Sequence, residues 1–324
     1  MKENGKRQMV VVLPGITDTQ RSEITEAAEK HDFSVSIFES ANEATPALAE
    51  AEVILGSAAS LASSAPKLKW LCTSSAGVNQ FTAPGAFLSA EAMLSNSSGA
   101  YGVTISEHII MTALMILRRQ PEYTSSVAAR QWQRDLPMES LQGSCIVLLG
   151  TGDIGQTTAR RLRAFAPKSI IGINRSGKNP ENLFDRVIRQ TEMDAILPQT
   201  DMLICSLPGT PETFHLLDEK RLSLLRPGAL LVNVGRGTAV DEQALEKLLR
   251  ENRLRAALDV FEQEPLPKES DLWDCPNLLI TPHAAGGFSL PYTRQRVVEL
   301  FLEDFERYCA GKPLARRVDP AQGY

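Results

Sequence analysis

Three short segments in the C-terminal half of this 324-residue chain carry side chains able to move a proton and grip an anion. Asn233-Val234-Gly235-Arg236-Gly237 sets a permanently charged guanidinium between two glycines, a planar fork suited to a carboxylate. Asp259-Val260-Phe261-Glu262-Gln263-Glu264-Pro265-Leu266-Pro267 supplies carboxylates. Thr281-Pro282-His283-Ala284-Ala285-Gly286-Gly287 supplies one of only four histidines, and imidazole is the side chain that gives and takes a proton near neutral pH. Each segment follows an apolar run of strand length, at 229–234, 256–260 and 278–281. In a parallel α/β sheet the carboxyl ends of strands line the ligand crevice, so all three segments are expected to face one crevice.

A fourth segment, residues 145–174, offers a place for a nucleotide. An apolar run at 145–149 leads into Gly150-Thr151-Gly152-Asp153-Ile154-Gly155, then a helix at 156–164 and a second strand at 169–173. Gly150 permits the tight turn, Gly152 lets the main chain approach a pyrophosphate, and Gly155 lets helix and strand pack closely, so that an anion meets free N–H groups at the positive helix end. The residue closing the second strand selects the coenzyme. An NAD site usually carries Asp or Glu there, whereas this chain has Asn174, Arg175, Ser176 and then Lys178. No carboxylate repels a 2′-phosphate, Arg175 can fork onto it and Ser176 can add a donor. NADP is the expected coenzyme, with NAD also admitted if the basic turn is merely solvated.

The elements needed to hold these segments are visible as alternating patterns. Apolar runs at 9–13, 33–38, 53–55, 68–73 and 93–95, with helices at 18–30 and near 45–50, make a first α/β unit. The turn Ser74-Ser75-Ala76-Gly77-Val78-Asn79, built of small residues, could turn backbone N–H groups toward a ligand anion. Residues 105–117 are apolar on most sides and predict a buried helix leading into a second unit, whose further elements are strands at 202–206, 229–234, 256–260 and 278–281 and helices at 218–225 and 241–250. Successive parallel strands need crossover helices, so the expected fold is α/β: two Rossmann-like or flavodoxin-like doubly wound parallel-sheet domains with a cleft between them. A final helix at about 292–310 would return to the first domain. The expected division is therefore 1–100 plus 288–324 for a discontinuous substrate-binding domain and 101–287 for a dinucleotide-binding domain.

Composition narrows the class. The chain is 43% hydrophobic, enough for packed cores, and its net charge is −5 with no basic block, which argues against nucleic acid and anionic membrane as partners. Arginines at 160–163 read as a solvated helix face. The five cysteines (Cys72, Cys145, Cys205, Cys275, Cys309) are odd in number, far apart and without C-x-x-C, a reducing-compartment pattern with no disulfide and no metal site. No apolar run reaches the roughly 20 residues of a membrane span, and the polar start lacks a signal-peptide core, so a cytoplasmic protein is expected.

The segments GTGDIG, SLPGTPET (206–213), LRPGALLVNVGRGTAVDEQAL, AALDVFEQEPLP and TPHAAG, in this order and spacing, resemble the D-isomer-specific 2-hydroxyacid dehydrogenases, which include glyoxylate/hydroxypyruvate reductases. The resemblance covers nearly all of residues 100–290. It is weaker in the first domain, where it rests on SSAGVN, and the ending from Val318 to Tyr324 looks like a glyoxylate reductase tail. It implies a catalytic trio of Arg236, Glu264 and His283, with Asp259 as partner of the nicotinamide carboxamide. It adds Thr151, Asp153, Ile154, Ser206, Leu207, Pro208, Thr213, Val234, Gly235, Arg236 and His283 to the coenzyme contacts. Substrate contacts fall to Ser75, Ala76, Gly77 and Val78 together with Arg236 and His283. It further implies hydride transfer to small 2-oxo acids and a homodimer, for which residues 105–117 and 122–137 would suit a two-fold interface.

Elementary chemistry agrees with those roles. Reducing a 2-oxo acid needs a hydride at the carbonyl carbon, a proton for its oxygen and a cation for the carboxylate. His283 can give the proton, a carboxylate on its second nitrogen would fix the tautomer, and Arg236 can bridge carboxylate and carbonyl oxygen. Plainer roles stand beside these: His283 as a loop residue, Arg236 in an interdomain salt bridge, Glu264 as a surface charge with Glu262 as its rival. His108 reads as a packing residue, His31 and His215 as surface residues, Asp241 as a helix cap. Tyr101, Trp132 and the residues near Phe288 line a pocket or simply pack. Two rival functions are a formate or phosphite dehydrogenase on the same architecture, the formate enzymes pairing the histidine with glutamine where this chain has Glu264, and a nucleotide-sensing corepressor-like interaction protein.

Overall fold

The computed structural model describes residues 6–81, 83, 85–89 and 91–319, with the Pro180 side chain also outside the description. The part of the C-terminal tail from residue 320 on therefore lies outside the described residues. The chain divides into two compact units, Met1–Tyr101 with Phe288–Tyr324, and Gly102–Gly287.

The first unit is a five-stranded parallel sheet in the order β2-β1-β3-β4-β5, from β1 (Arg7–Val12), β2 (Phe33–Phe38), β3 (Ala51–Leu55), β4 (Trp70–Cys72) and β5 (Met93–Ser95). This is the flavodoxin-like order. Helix α1 (Asp18–Lys30) begins at a capping box in which Thr17 and Gln20 satisfy each other's backbone N–H, a feature typically worth about 1 kcal/mol. Two short helices follow, α2 (Ala41–Ala44) and α3 (Ala59–Ser63). The helix expected near 45–50 is a 3-10 segment instead, because Pro46 near its start and a span of only six residues favour the tighter winding.

The last helix of the chain belongs to this unit. Phe301 stacks on Trp70 with ring centroids 5.3 Å apart, and Phe305 meets Phe33 edge-on at 5.2 Å. At the amino ends of the strands, Tyr308 donates to Glu52 Oε1 at 2.7 Å and Arg7 Nε donates to the same oxygen at 3.1 Å, with the Arg7 guanidinium over the Phe33 ring.

The second unit holds seven parallel strands in the order β12-β11-β10-β9-β6-β7-β8. They are β6 (Cys145–Leu149), β7 (Ser169–Asn174), β8 (Arg186–Arg189), β9 (Met202–Cys205), β10 (Leu230–Asn233), β11 (Arg255–Leu258) and β12 (Leu278–Ile280). The strand order reverses between β6 and β9, the place where doubly wound sheets bind dinucleotides. Strand β8 escapes a reading by hydrophobicity because it is an edge strand, with arginines at both ends and a single fully buried residue, Ile188.

Helix α4 (Gly102–Leu117) is buried on most sides, with Glu107 and Met111 its exposed positions. It packs on the helix that follows β6 and against β10 and β11. Helix α5 (Gln120–Ala128) follows. The helix expected from residue 156 starts earlier, as α6 (Asp153–Leu162), with Gly152 as its N-cap. Helices α7 (Glu219–Leu224), α8 (Glu242–Arg250), capped by Asp241, and, in the first unit, α9 (Pro291–Cys309) complete the set. All five cysteines are free, and none of the described helices is long and apolar enough to cross a membrane.

Candidate active site

The glycine turn joins β6 to α6 at the switch point. Gly150 has φ +106°, a conformation costly for any side chain, and a Cβ on Gly155 would stand 2.2 Å from the Gly150 carbonyl oxygen. At Gly152 nothing lies within 4 Å of a Cβ position, so the main chain faces open space where the first turn of α6 presents its N–H groups. That cradle fits a pyrophosphate.

Around the turn, several expected coenzyme residues shape the loops. Asn174 Nδ2 donates to Thr151 Oγ1 at 2.7 Å and to the Lys178 carbonyl at 2.9 Å, while its Oδ1 accepts from Gly177 N at 2.6 Å and Ser176 Oγ at 3.3 Å. Asn174 thus braces the basic turn against the glycine turn, leaving Arg175 and Ser176 exposed. The Asp153 carboxylate lies against the start of α4, its Oδ2 2.7 Å from a Cβ position on Gly102, while Ile154 is half-buried. Across the switch point, Ser206 N donates to the Leu149 carbonyl at 3.0 Å, and Thr213 Oγ1 donates to the Pro208 carbonyl at 2.7 Å, closing the 208–213 loop.

The reactive segments are brought together by close main-chain approach. A Cβ on Gly237 would fall 1.8 Å from the Phe261 carbonyl carbon, and one on Gly235 would fall 2.6 Å from Leu207 N. Only glycines on both sides of Arg236 let its turn lie flat between the chain ends after β9 and β11. Val234, just before it, is buried, and the Arg236 carbonyl accepts from Asn233 Nδ2 at 3.0 Å. Burial pushes the guanidinium below its ordinary value, while the negative charge of Glu264 acts the other way.

His283 Nδ1 lies 2.7 Å from Glu264 Oε2, and Glu264 Oε1 accepts from Phe261 N at 3.0 Å. An ionised carboxylate only accepts, so Nδ1 carries a hydrogen and Nε2 is the ring atom left to exchange a proton. The neighbouring Glu262 does not face His283. Its Oε1 pairs with His215 Nε2 at 3.0 Å and accepts from Glu242 N at 3.1 Å, while Glu242 accepts from Glu262 N at 2.6 Å. Burial, reinforced by the charges of Glu262 and Glu264, pushes the Glu242 carboxyl up.

Asp259 is 3% exposed, and both its oxygens are held by the His283 segment: Oδ1 accepts from Thr281 Oγ1 at 2.6 Å and Ala284 N at 2.8 Å, Oδ2 from Ala285 N at 2.9 Å. Composition and spacing gave no sign of this clamp, whose donors are mostly backbone amides. His108 is bonded rather than merely packed, with Nε2 3.2 Å from Thr281 Oγ1. His31 and His215, expected at the surface, are half-buried and paired with Glu306 and Glu262. Trp132 is 91% exposed, while Tyr101 is buried and bonded through its hydroxyl to the Ser74 carbonyl.

In the first unit the segment after β4 is held by hydroxyls. Ser75 Oγ donates to the Gly77 carbonyl at 2.7 Å, Asn96 Nδ2 to the Ala76 carbonyl at 3.0 Å, and Phe81 N to the Val78 carbonyl at 2.8 Å. Ser57 Oγ lies 2.6 Å from Ser74 Oγ and 3.1 Å from Thr73 Oγ1. Among the described residues, no group of three His, Cys, Asp or Glu could hold a metal.

The description "D-isomer specific 2-hydroxyacid dehydrogenase, NAD binding domain" fits residues 110–285. A glyoxylate/hydroxypyruvate reductase B of Pectobacterium atrosepticum is 33% identical over 74% of this chain and 77% of its own. The crystal structure of a D-isomer specific 2-hydroxyacid dehydrogenase family protein of Aeromonas salmonicida superposes with a TM-score of 0.86 at 32% identity, covering 97% of this chain and 99% of that one. An NADPH-dependent glyoxylate/hydroxypyruvate reductase of Sinorhizobium meliloti, solved with NADP and sulfate, gives 0.81 at 27% identity, over 98% and 100%. Because the family match runs through the glycine turn and all three reactive segments, and the fold agrees along nearly the whole chain, this protein belongs to the D-isomer specific 2-hydroxyacid dehydrogenases, a family of oxidoreductases.

Proposed function

We propose that the protein reduces small 2-oxo acids, such as glyoxylate, hydroxypyruvate or longer homologues, to D-2-hydroxy acids, with NADPH preferred over NADH. The His283–Glu264 pair, 2.7 Å apart on a turn pressed against the Arg236 loop, carries this reading. Residues 150–155, 174–176, 206–213 and 234–235 would hold the coenzyme, which when bound supplies the hydride. Arg236 grips the substrate carboxylate and the carbonyl oxygen, steadying the negative charge that develops there. His283 Nε2 delivers the proton to that oxygen, while Glu264 holds the ring in the productive tautomer. The 75–78 segment of the first unit is assigned to the substrate.

The coenzyme preference rests on exposed Arg175 and Ser176 with no carboxylate closing β7, and a relative is named as NADPH-dependent. We also infer a homodimer formed through residues 122–137, supported by exposed Val127 and Trp132, which light scattering would check. The free thiols suit a cytoplasmic setting. The direct test is loss of NADPH absorbance on adding glyoxylate or hydroxypyruvate. No oxidation across a panel of 2-oxo acids with either coenzyme would refute the reading.

A further inference from the structure

Asp259 is tied to the histidine-bearing segment more completely than contact with a coenzyme requires. It follows the last residue of β11 and is almost fully buried. Three donors converge on its carboxylate, the Thr281 hydroxyl and the Ala284 and Ala285 amides, and its own carbonyl accepts from His283 N at 2.8 Å. Four of the five residues from 281 to 285 are therefore bonded to this one residue. The backbone they hold is unusual, because His283 sits at φ +51°, in the left-handed region that side chains other than glycine adopt at a cost. A strained turn persists where its surroundings over-determine it, and Asp259 provides most of that determination.

The line does not end at Thr281. His108, on buried helix α4, reaches Thr281 Oγ1 with Nε2 at 3.2 Å and stands 3.9 Å from Asp259 Oδ1. Counting hydrogens fixes the direction. The Thr281 hydroxyl has one proton, and its closer partner, the Asp259 carboxylate, can only accept. The hydroxyl therefore donates to Asp259, and its oxygen accepts from His108 Nε2–H. Each member aims the next: imidazole to hydroxyl, hydroxyl to carboxylate, carboxylate to the amides on the far side of His283. An imidazole in the otherwise largely apolar run ISEHIIMTALMIL is costly to bury, and leucine would fill the space without that cost. The bond to Thr281 is what the imidazole supplies and leucine cannot.

We propose that His108, Thr281 and Asp259 form a positioning line that sets the left-handed turn at His283 and so fixes the imidazole in register with Glu264. His108 is thus a positioning residue for the proton-transfer step. The functional half of this inference rests on the reading of His283 as proton donor; the structural half does not. Displacing a reacting group by about 1 Å can cost up to a hundredfold in rate, whereas most of the residues assigned to substrate and coenzyme affinity lie outside this line.

The experiment combines steady-state kinetics with peptide-level hydrogen exchange over residues 281–287 of the full chain, without substrate or coenzyme. His108→Leu and Thr281→Val are expected to lower kcat by about ten- to a hundredfold with both KM values within about threefold of wild type, and to raise exchange in that segment. His108→Gln, whose amide can put an N–H near the position of Nε2, and Thr281→Ser should restore most of both signals. The double variant His108→Leu/Thr281→Val should be little worse than either single one, because both break the same line.

Wild-type kcat in His108→Leu, increased exchange without a change in kcat, or lost activity not rescued by glutamine would each overturn the positioning role. If His108→Leu does not fold, the Thr281 pair decides by the same criteria. Failure of the functional reading looks different: wild type then turns over no 2-oxo acid or His283→Ala remains active, while the exchange data still decide whether the line holds the turn.

Discussion

The two α/β units place their polar groups at the same structural address, the carboxyl ends of parallel strands, yet fill it with opposite chemistry. In the second unit the strand ends carry charged side chains, Arg236, Asp259 and Glu264, with the His283 imidazole, held by bonds as short as 2.6 Å. In the first unit the equivalent place holds neutral hydroxyls and an amide, Ser57, Thr73, Ser74, Ser75, Asn96 and Ser97, bonded to one another and to the main chain. Hydroxyl networks shape backbone without storing charge, so they suit a loop that must present N–H groups. Proton transfer needs a titratable pair, and that pair needs a guanidinium beside it. Under the proposed function, this contrast would put reaction on one sheet and reception of the substrate on the other.

The contrast can be broken most forcefully at His283. His283→Ala should lower kcat by about a hundredfold or more while coenzyme affinity, measured by quenching of protein fluorescence, falls far less, since His283 is one of many assigned contacts. Full turnover in this variant would remove the chemical half of the comparison. Arg236→Lys keeps the charge but loses the fork, and a drop in kcat/KM of about ten- to a hundredfold is expected in the same assay. Arg175→Ala should weaken NADPH by about tenfold or more and NADH hardly at all, and an equal loss for both would end the 2′-phosphate assignment.

Charge also matters in the first unit, at the opposite, amino ends of its strands. Burial would raise the Glu52 carboxyl, but bonds from Arg7 and Tyr308 outweigh it and bring it from 4.5 down to about 2. A depressed carboxyl stabilises the fold above its unfolded value and loses that contribution as pH falls from about 4.5 toward 2. Urea unfolding of wild type and Glu52→Gln should therefore differ at pH 6 and converge toward pH 2. The smallest effect is expected at Ser57→Ala, about 1 kcal/mol of stability with no new pH dependence of turnover.

Much of this was legible in the sequence because the decisive signals are local. Glycine spacing at 150–155 announces a turn that only glycine can make, and apolar runs of four to six residues announce buried parallel strands. The Arg236 turn was legible as a flanked guanidinium, though only coordinates show why the flanks are glycine. What stayed hidden depends on partners remote in sequence. The Asp259 clamp uses backbone amides, and every residue has those. The His108–Thr281 bond spans 173 positions. Strand β8 looks like surface because as an edge strand it largely is surface, and the bond from the Asn174 amide to Thr151 spans 23 positions.

The contact at Gly237 has a practical consequence for redesign. A single added methyl there would overlap the Phe261 carbonyl, so the loops after β10 and β11 behave as one cast piece and neither can be lengthened or re-angled by itself. On the proposed function, attempts to widen the range of acids would be directed at the hydroxyl-rich loops of the other sheet, where the side chains are small.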